Sequence, residues 1–400
     1  MMPFSGLRVL DLAWVVAGPQ VGRVLADFGA EVIRVESRKR IDTARVVGPF
    51  VDGHTSSDAS ALFHNSNAGK LGLSLDLTHA DALQVIRDLV CQSDVLIESF
   101  SAGQMAKWGL TYESLKQLNP RLIMLSTSLM GQDGPYKSMA GFGSTGSAMA
   151  GFQSLSGPDN ANPLGPYGPY TDFLAPRIIL ASLFVALEHL RETGHGCYQD
   201  IAQSDAGLIF QIPEIVHYGL TEEEPELRGN RSASMAPHGV FPCLDGSWIA
   251  IAVRDDADWQ QLQKLLPTAL VAQLASLDSF ELRKTNETFI EAKLAQWTSA
   301  FQVLALQTYL QENNIPAHVV SSSHDFCTDA QVLHLNHLVR LGDHGLEVTV
   351  EGSRYALSRC KARTNKLGPK VGQDNTKILK DILSYSAEEI ARLEASGVLN

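Results

Sequence analysis

Between residues 7 and 129 the chain repeats one pattern: a short apolar run, a turn, then a helical periodicity. LRVLDL (7–12) leads into Ala17-Gly18-Pro19 and a helical stretch ending at Gly29, and EVIRV (31–35) follows at once. That is a βαβ unit, whose strands are parallel and whose crossover is right-handed. LGLSLDL (71–77), the amphipathic ADALQVIRDLV (80–90), DVLIESF (94–100), short helices over 101–118 and RLIMLSTSL (121–129) continue the alternation. Strands alternating with helices predict a mostly parallel, doubly wound sheet. In such a sheet ligands bind in the loops beyond the carboxyl ends of the strands. Those loops carry Glu36–Arg40, Ser99–Lys107 and Met130–Phe142. Only Gly18 and Gly22 lie in the first turn and helix, so the GxGxxG dinucleotide fingerprint is not met.

From Met130 to Pro169 the chain is dense in Gly, Ser and Pro, and a loop of that length in a compact domain points to function. It ends in GPYGPYTDFLAP (165–176), with Asp172 near its centre. Gly and Pro keep this run irregular up to Tyr170, and the apolar stretch from Phe173 reads as a buried helix to residue 193. Asp172 then stands at or just before a helix N-terminus, where amide donors lack partners and the dipole favours a carboxylate. Three roles stay open for it on residue chemistry alone: helix cap, general base or covalent nucleophile. CYQDIA (197–202) reads as a strand and AGLIFQIPEIVHYGL (206–220) as one helix. Residues 221–236 are polar and breaker-rich, which predicts a linker. Beyond it GVFPCLDGSWIAIAV (239–253) reads as a hairpin turning at Asp245-Gly246. Helices over 256–313 and the strand AHVV (317–320) complete a smaller α+β pattern, and Ser386 with Glu389 forms a capping box for a last helix.

A net charge of −12 argues against general binding to nucleic acid or a membrane surface. No apolar run reaches the roughly 18 residues of a membrane span free of charge. The five cysteines are widely spaced without a CxxC, the pattern of free thiols in a reducing cytosol, so the expected location is cytoplasmic. His334 and His337 share a helical face but have no third ligand, and no metal site is expected. P-loop, GxSxG and HExxH motifs are absent from the sequence. Arg38, Lys39, Arg40, Lys70, Lys107 and Lys137 lie at or near strand-end loops. Each alone reads as a solvated charge; together on one rim they suit a polyphosphate.

Taken in order, GLRVLDLAWVVAGPQVGRVLADFGAEVIRVE (6–36), NAGKLGLSLDL (67–77), SDVLIESF (93–100), LTYESLKQLNPRLIMLSTSLMGQDGPY (110–136), YTDFLAP and the closing SAEEIARLEASGV resemble the family III CoA-transferases, the CaiB/BaiF family. The resemblance implies a Rossmann-like large domain from residues 1–220 and 346–400, linkers at 221–236 and 326–345, a small α+β domain at 237–325, and an interlocked homodimer. It places the catalytic aspartate on Asp172, whose carboxylate attacks an acyl-CoA and passes through an aspartyl anhydride and an aspartyl-CoA thioester. CoA contacts carry over to Val16, Ala17, Lys70, Phe100, Ser99 in place of a frequent Asn, Lys107 in place of a frequent Arg, and Arg38, one position off the common basic site. Lys137 and Phe142 complete the candidate set. Where related α-methylacyl-CoA racemases carry a proton-moving histidine this chain has Phe142, which cannot move a proton. His238-Gly239 stands near the place of a glycine-rich flap, without a glycine run, and Gly151–Pro169 is expected to line the acyl pocket.

The expected activity is transfer of CoA from an acyl-CoA donor to a carboxylic acid acceptor, with CoA as substrate and no tightly bound cofactor. An isomerase or racemase of the same fold, CoA transfer within one molecule, a nicotinamide oxidoreductase and a non-catalytic CoA-binding protein are the alternatives.

Overall fold

The computed structural model describes residues 1–53, 56–158, 162–343 and 345–400. Residues 159–161, within the expected acyl-pocket segment, and residue 344, within the expected second linker, lie outside the described residues. The chain forms two compact units, one of Met1–Gln153, Gly165–Glu223 and Gln331–Asn400, the other of Ser154–Leu164 and Glu224–Ala330.

In the first unit, β1 (Arg8–Asp11), α1 (Ala17–Asp27), β2 (Glu31–Glu36), α2 (Ala61–Asn67), β3 (Leu71–Ser74), α3 (Ala80–Cys91), β4 (Val95–Glu98), α4 (Gln104–Lys107), α5 (Tyr112–Leu118) and β5 (Ile123–Ser126) follow in order. Then come α6 (Gly143–Met149), α7 (Phe152–Leu155), whose last two residues belong to the second unit, α8 (Tyr170–Thr193), β6 (Tyr198–Asp200), α9 (Gln203–Leu208) and α10 (Ile212–Thr221). The six strands are all parallel in the order β3-β2-β1-β4-β5-β6. Strand order therefore reverses between β1 and β4, and a crevice opens outside their carboxyl ends. β3 stops short of the expected Leu77 because the Asp76 carboxylate accepts the Thr78 N–H at 3.1 Å and turns the chain.

Both sheet faces are covered, as near-continuous apolar strands require. Val9, Ile97 and Leu125 pack against α1 and α8 on one face; Leu10, Leu96 and Met124 pack against α3, α5 and the chain's end (Ile378, Leu393, Val398) on the other. By length and composition α8 could cross a membrane, but one stripe of it, Ala175, Ile179, Leu183, Ala186 and Leu190, lies in this core. The single helix expected over 206–220 is broken into α9 and α10, since Pro213 has no N–H to give the carbonyl four residues back. No residue of α10 is buried.

The second unit holds the antiparallel sheet β7 (His238–Pro242), β8 (Trp248–Ala252) and β9 (Ala317–Val319). α11 (Asp256–Leu265), α12 (Thr268–Leu274), α13 (Phe280–Thr285), α14 (Glu287–Thr298) and α15 (Val303–Glu312) pack on it around Trp259, Leu262, Ile290 and Leu306. Where the sequence reading put a linker and then the tail, β10 (Leu338–Asp343) and β11 (Leu346–Glu351) pair antiparallel. Leu341, Val348 and Val350 bury one face of that hairpin against Ala68, so the segment is structure and not a bare connection.

Candidate active site

Helix α1 leaves the sheet where β1 ends, and α8 runs back to where β6 begins. Both N-termini therefore lie at the carboxyl edge of the sheet, and the two helices pack together in one core. Gly18 lets α1 come this close: a Cβ there would collide with that of Ala13.

Asp172 sits one turn deeper than the expected cap. Helix α8 already begins at Tyr170, with Pro169 in the cap position, and Asp172 belongs to its first turn. The residue is only 5% exposed. Its Oδ2 accepts the Gly143 N–H at 3.2 Å, and Thr171 Oγ1 donates to the Gly143 carbonyl at 3.0 Å. A side chain at Gly143 would meet the Asp172 nitrogen at 2.6 Å, so α6 and α8 meet here only through glycine. Burial pushes the Asp172 carboxyl up to about 6, against the single amide that pulls it down. Pro176, four residues on, has no N–H for the Asp172 carbonyl. The result is a desolvated, lightly bonded carboxylate. Phe142, next to Gly143, is 56% exposed and gives Asp172 no proton-moving partner.

Beyond β1 and β4 lies a cavity of about 560 Å³ lined by Trp14, Ser37, Lys39, Arg40, Phe100 and Trp108, among others. Phe100 meets Trp108 edge-on with centroids 5.0 Å apart, and the Arg40 guanidinium lies 5.3 Å from the Trp14 ring. Lys39 bonds Asp76 at 2.8 Å and, with Thr78, holds that carboxyl down to about 2. Aromatic faces and a guanidinium suit a purine, and the ammonium suits a phosphate. Phe100 is held from both sides, its N–H by Glu98 at 2.8 Å and its carbonyl by Gln132 at 3.0 Å. Burial raises that Glu98 carboxyl to about 7.

Of the residues singled out in the sequence, Phe100 lines this cavity. Ser99 braces it, its Oγ accepting the Trp14 N–H at 2.9 Å. Val16 and Ala17 are buried at the start of α1. Arg38 lies apart, on a shallower cleft of about 460 Å³ shared with Asp58 and Lys370. Lys107 is exposed at the end of α4, and Lys137 is exposed near Asp133. Lys70 is not the solvated strand-end charge that the sequence predicts. Its side chain is wholly buried, and its three N–H groups go to Asp11 at 2.7 Å and to Asn67 Oδ1 and the Pro19 carbonyl at 2.8 Å each. Burial brings this ammonium down to about 8. With every donor taken, Lys70 ties α1 to the sheet and has none for a phosphate. Lys39 and Arg40, among the strand-end cations expected to suit a polyphosphate, also line the cavity, whereas Trp14 and Trp108 are additions that the sequence reading lacks; a tryptophan just after the first strand, at the reversal of strand order, was the available signal.

The description of CoA-transferase family III matches residues 4–375 of this chain. The succinyl-CoA–D-citramalate CoA-transferase of Chloroflexus aurantiacus is 29% identical over 99% of this chain and 98% of its own length. The succinate–glutarate CoA-transferase of Agrobacterium fabrum is 30% identical over 95% and 96%. Among solved structures, a CaiB/BaiF family protein from Brucella suis superposes with a TM-score of 0.85, covering 95% of this chain and 99% of that one at 29% identity. The chain belongs to CoA-transferase family III and is an enzyme that transfers CoA.

Proposed function

We propose that this enzyme moves CoA from succinyl-CoA, or a similar dicarboxylic acyl-CoA, to a free carboxylic acid through covalent intermediates on Asp172. The observation that carries the reading is the Asp172 carboxylate itself, buried and accepting the Gly143 amide at 3.2 Å. Desolvation makes such a group a stronger nucleophile than a carboxylate in water. The names of the relatives support succinyl-CoA as the donor.

The steps balance without ATP. Asp172 Oδ attacks the thioester carbonyl, the C–S bond breaks, and CoA leaves as thiolate with a mixed anhydride behind it. The thiolate attacks the Asp172 carbonyl carbon and expels the donor acid, giving an aspartyl-CoA thioester. The acceptor carboxylate attacks that carbonyl, expels the thiolate and forms a second anhydride. The thiolate then takes the acceptor's acyl carbon and frees Asp172. One negative charge passes along throughout, and no proton moves. The exposed phenyl ring of Phe142 offers nothing to a racemase.

Incubation with succinyl-CoA and a panel of dicarboxylic, aromatic and branched acids is expected to yield a new CoA ester and free succinate. No ester with any acid would contradict the proposal. Because Asp172 reacts as the anion and its carboxyl lies near 6, kcat/KM is expected to fall about tenfold per pH unit below that point. A profile flat down to pH 5 would count against Asp172 as the group that titrates.

The reading includes a homodimer. It is supported by α10, where Ile212, Ile215, Val216 and Leu220 are all exposed on a helix with no buried residue. Sedimentation at the mass of a single chain would contradict it.

A further inference from the structure

We propose that Val15 and Asp42 are positioning residues that set Trp14 in the wall of the CoA cavity, an inference resting on the CoA-transfer reading above. Val15 has φ +66°. A β-branched side chain is poorly tolerated there, and a turn that only had to reverse the chain would use Gly or Asn. Among the described residues the other non-glycine positions with positive φ are Glu222, Asn314, Asn336 and Ser384, none of them β-branched. Burial does not explain the valine either, since Val15 is only half-buried.

The loop is fixed by its neighbours. Three successive amides each reach a different side chain: two at the ends of β1 and β4, and one, Asp42, capping the turn of helix at Thr43–Arg45. Ala13 N–H donates to Asp11 Oδ1 at 3.0 Å, Trp14 N–H to Ser99 Oγ at 2.9 Å, and Val15 N–H to both Asp42 oxygens at 3.1 Å. Arg34 donates to the Ala13 carbonyl at 2.6 Å and also pairs with Asp42, which is fully buried. Strained backbone held from several directions marks a geometry kept for use. What this loop presents is Trp14, whose ring stands against Arg40 and 6.5 Å from that of Phe100.

The test compares Val15→Gly, Val15→Asn and Asp42→Asn with the unaltered enzyme, reading the thermal midpoint and the calorimetric Kd for CoA itself. Glycine removes the strain and loosens the loop. Val15→Gly is expected to keep or raise the midpoint while weakening CoA binding about tenfold. Val15→Asn, at home at positive φ, is expected to restore most of that affinity. Asp42→Asn should weaken CoA binding in the same direction. If Val15→Gly binds CoA as tightly as the unaltered enzyme, the positioning role is wrong and the transfer reading stands. If the unaltered enzyme binds no CoA, the transfer reading fails and takes this inference with it.

Discussion

Asp172→Asn is expected to lower kcat by at least about 10⁴-fold and, at the same time, to make the folded chain more stable at pH 8. The first effect follows because an amide cannot form the anhydride or return CoA from a thioester. The second follows from linkage. Burial raises the Asp172 carboxyl from 3.8 to about 6, so between those values the folded chain binds a proton that the unfolded chain has lost. Stability therefore declines as pH rises through that window, and the whole penalty is present above it. At about 1.4 kcal/mol per unit it comes to roughly 3 kcal/mol, since a residue this deeply buried has little solvent screening. Asparagine keeps an acceptor for the Gly143 N–H and carries no charge. Urea unfolding at pH 8 and pH 4 checks the sign: the gain should be present at the first and nearly gone at the second. A less stable Asn variant at pH 8 would mean that the carboxylate is held by more than the structure shows.

Arg34→Met is expected to destabilise the chain by about 3–5 kcal/mol. Arg34 is buried among three carboxylates, paired with Asp42 and 3.7 Å from both Asp11 and Glu36. Lys70 and Arg45 complete the network from its two sides, at 2.7 Å from Asp11 and Glu36 respectively. Methionine fills much of the space but leaves Asp42 without its ion-pair partner where water cannot reach, and burial already pushes that carboxyl up. Urea unfolding measures the loss; a change within about 0.5 kcal/mol would show that the network rearranges freely.

The parallel sheet was legible because strands buried on both faces read as apolar runs and their crossovers as helices. The charged network had a signal too. In EVIRVE an arginine and a glutamate stand inside a run that the sheet buries, and buried charges come paired. Its partners did not show, since Asp11, Asp42 and Lys70 are brought together only by the strand order. For the same reason Lys70 read as a free cation: the space beside Gly22 that admits its pair with Asp11 exists only in three dimensions. The sequence singled out Asp172, while its place within the first turn of α8 depended on Tyr170 and Thr171 joining the helix beyond Pro169. The alternation in LEVTVE was a visible sign of β11, but the sequence reading divides the hairpin, β10 falling in the expected linker and β11 in the tail.

The most direct test of the covalent role of Asp172 is peptide mass spectrometry of the enzyme after incubation with succinyl-CoA and no acceptor. The account predicts a succinyl or CoA adduct on the peptide containing Asp172, absent from Asp172→Asn. Transfer activity with no adduct there, or an adduct on another residue, would contradict it.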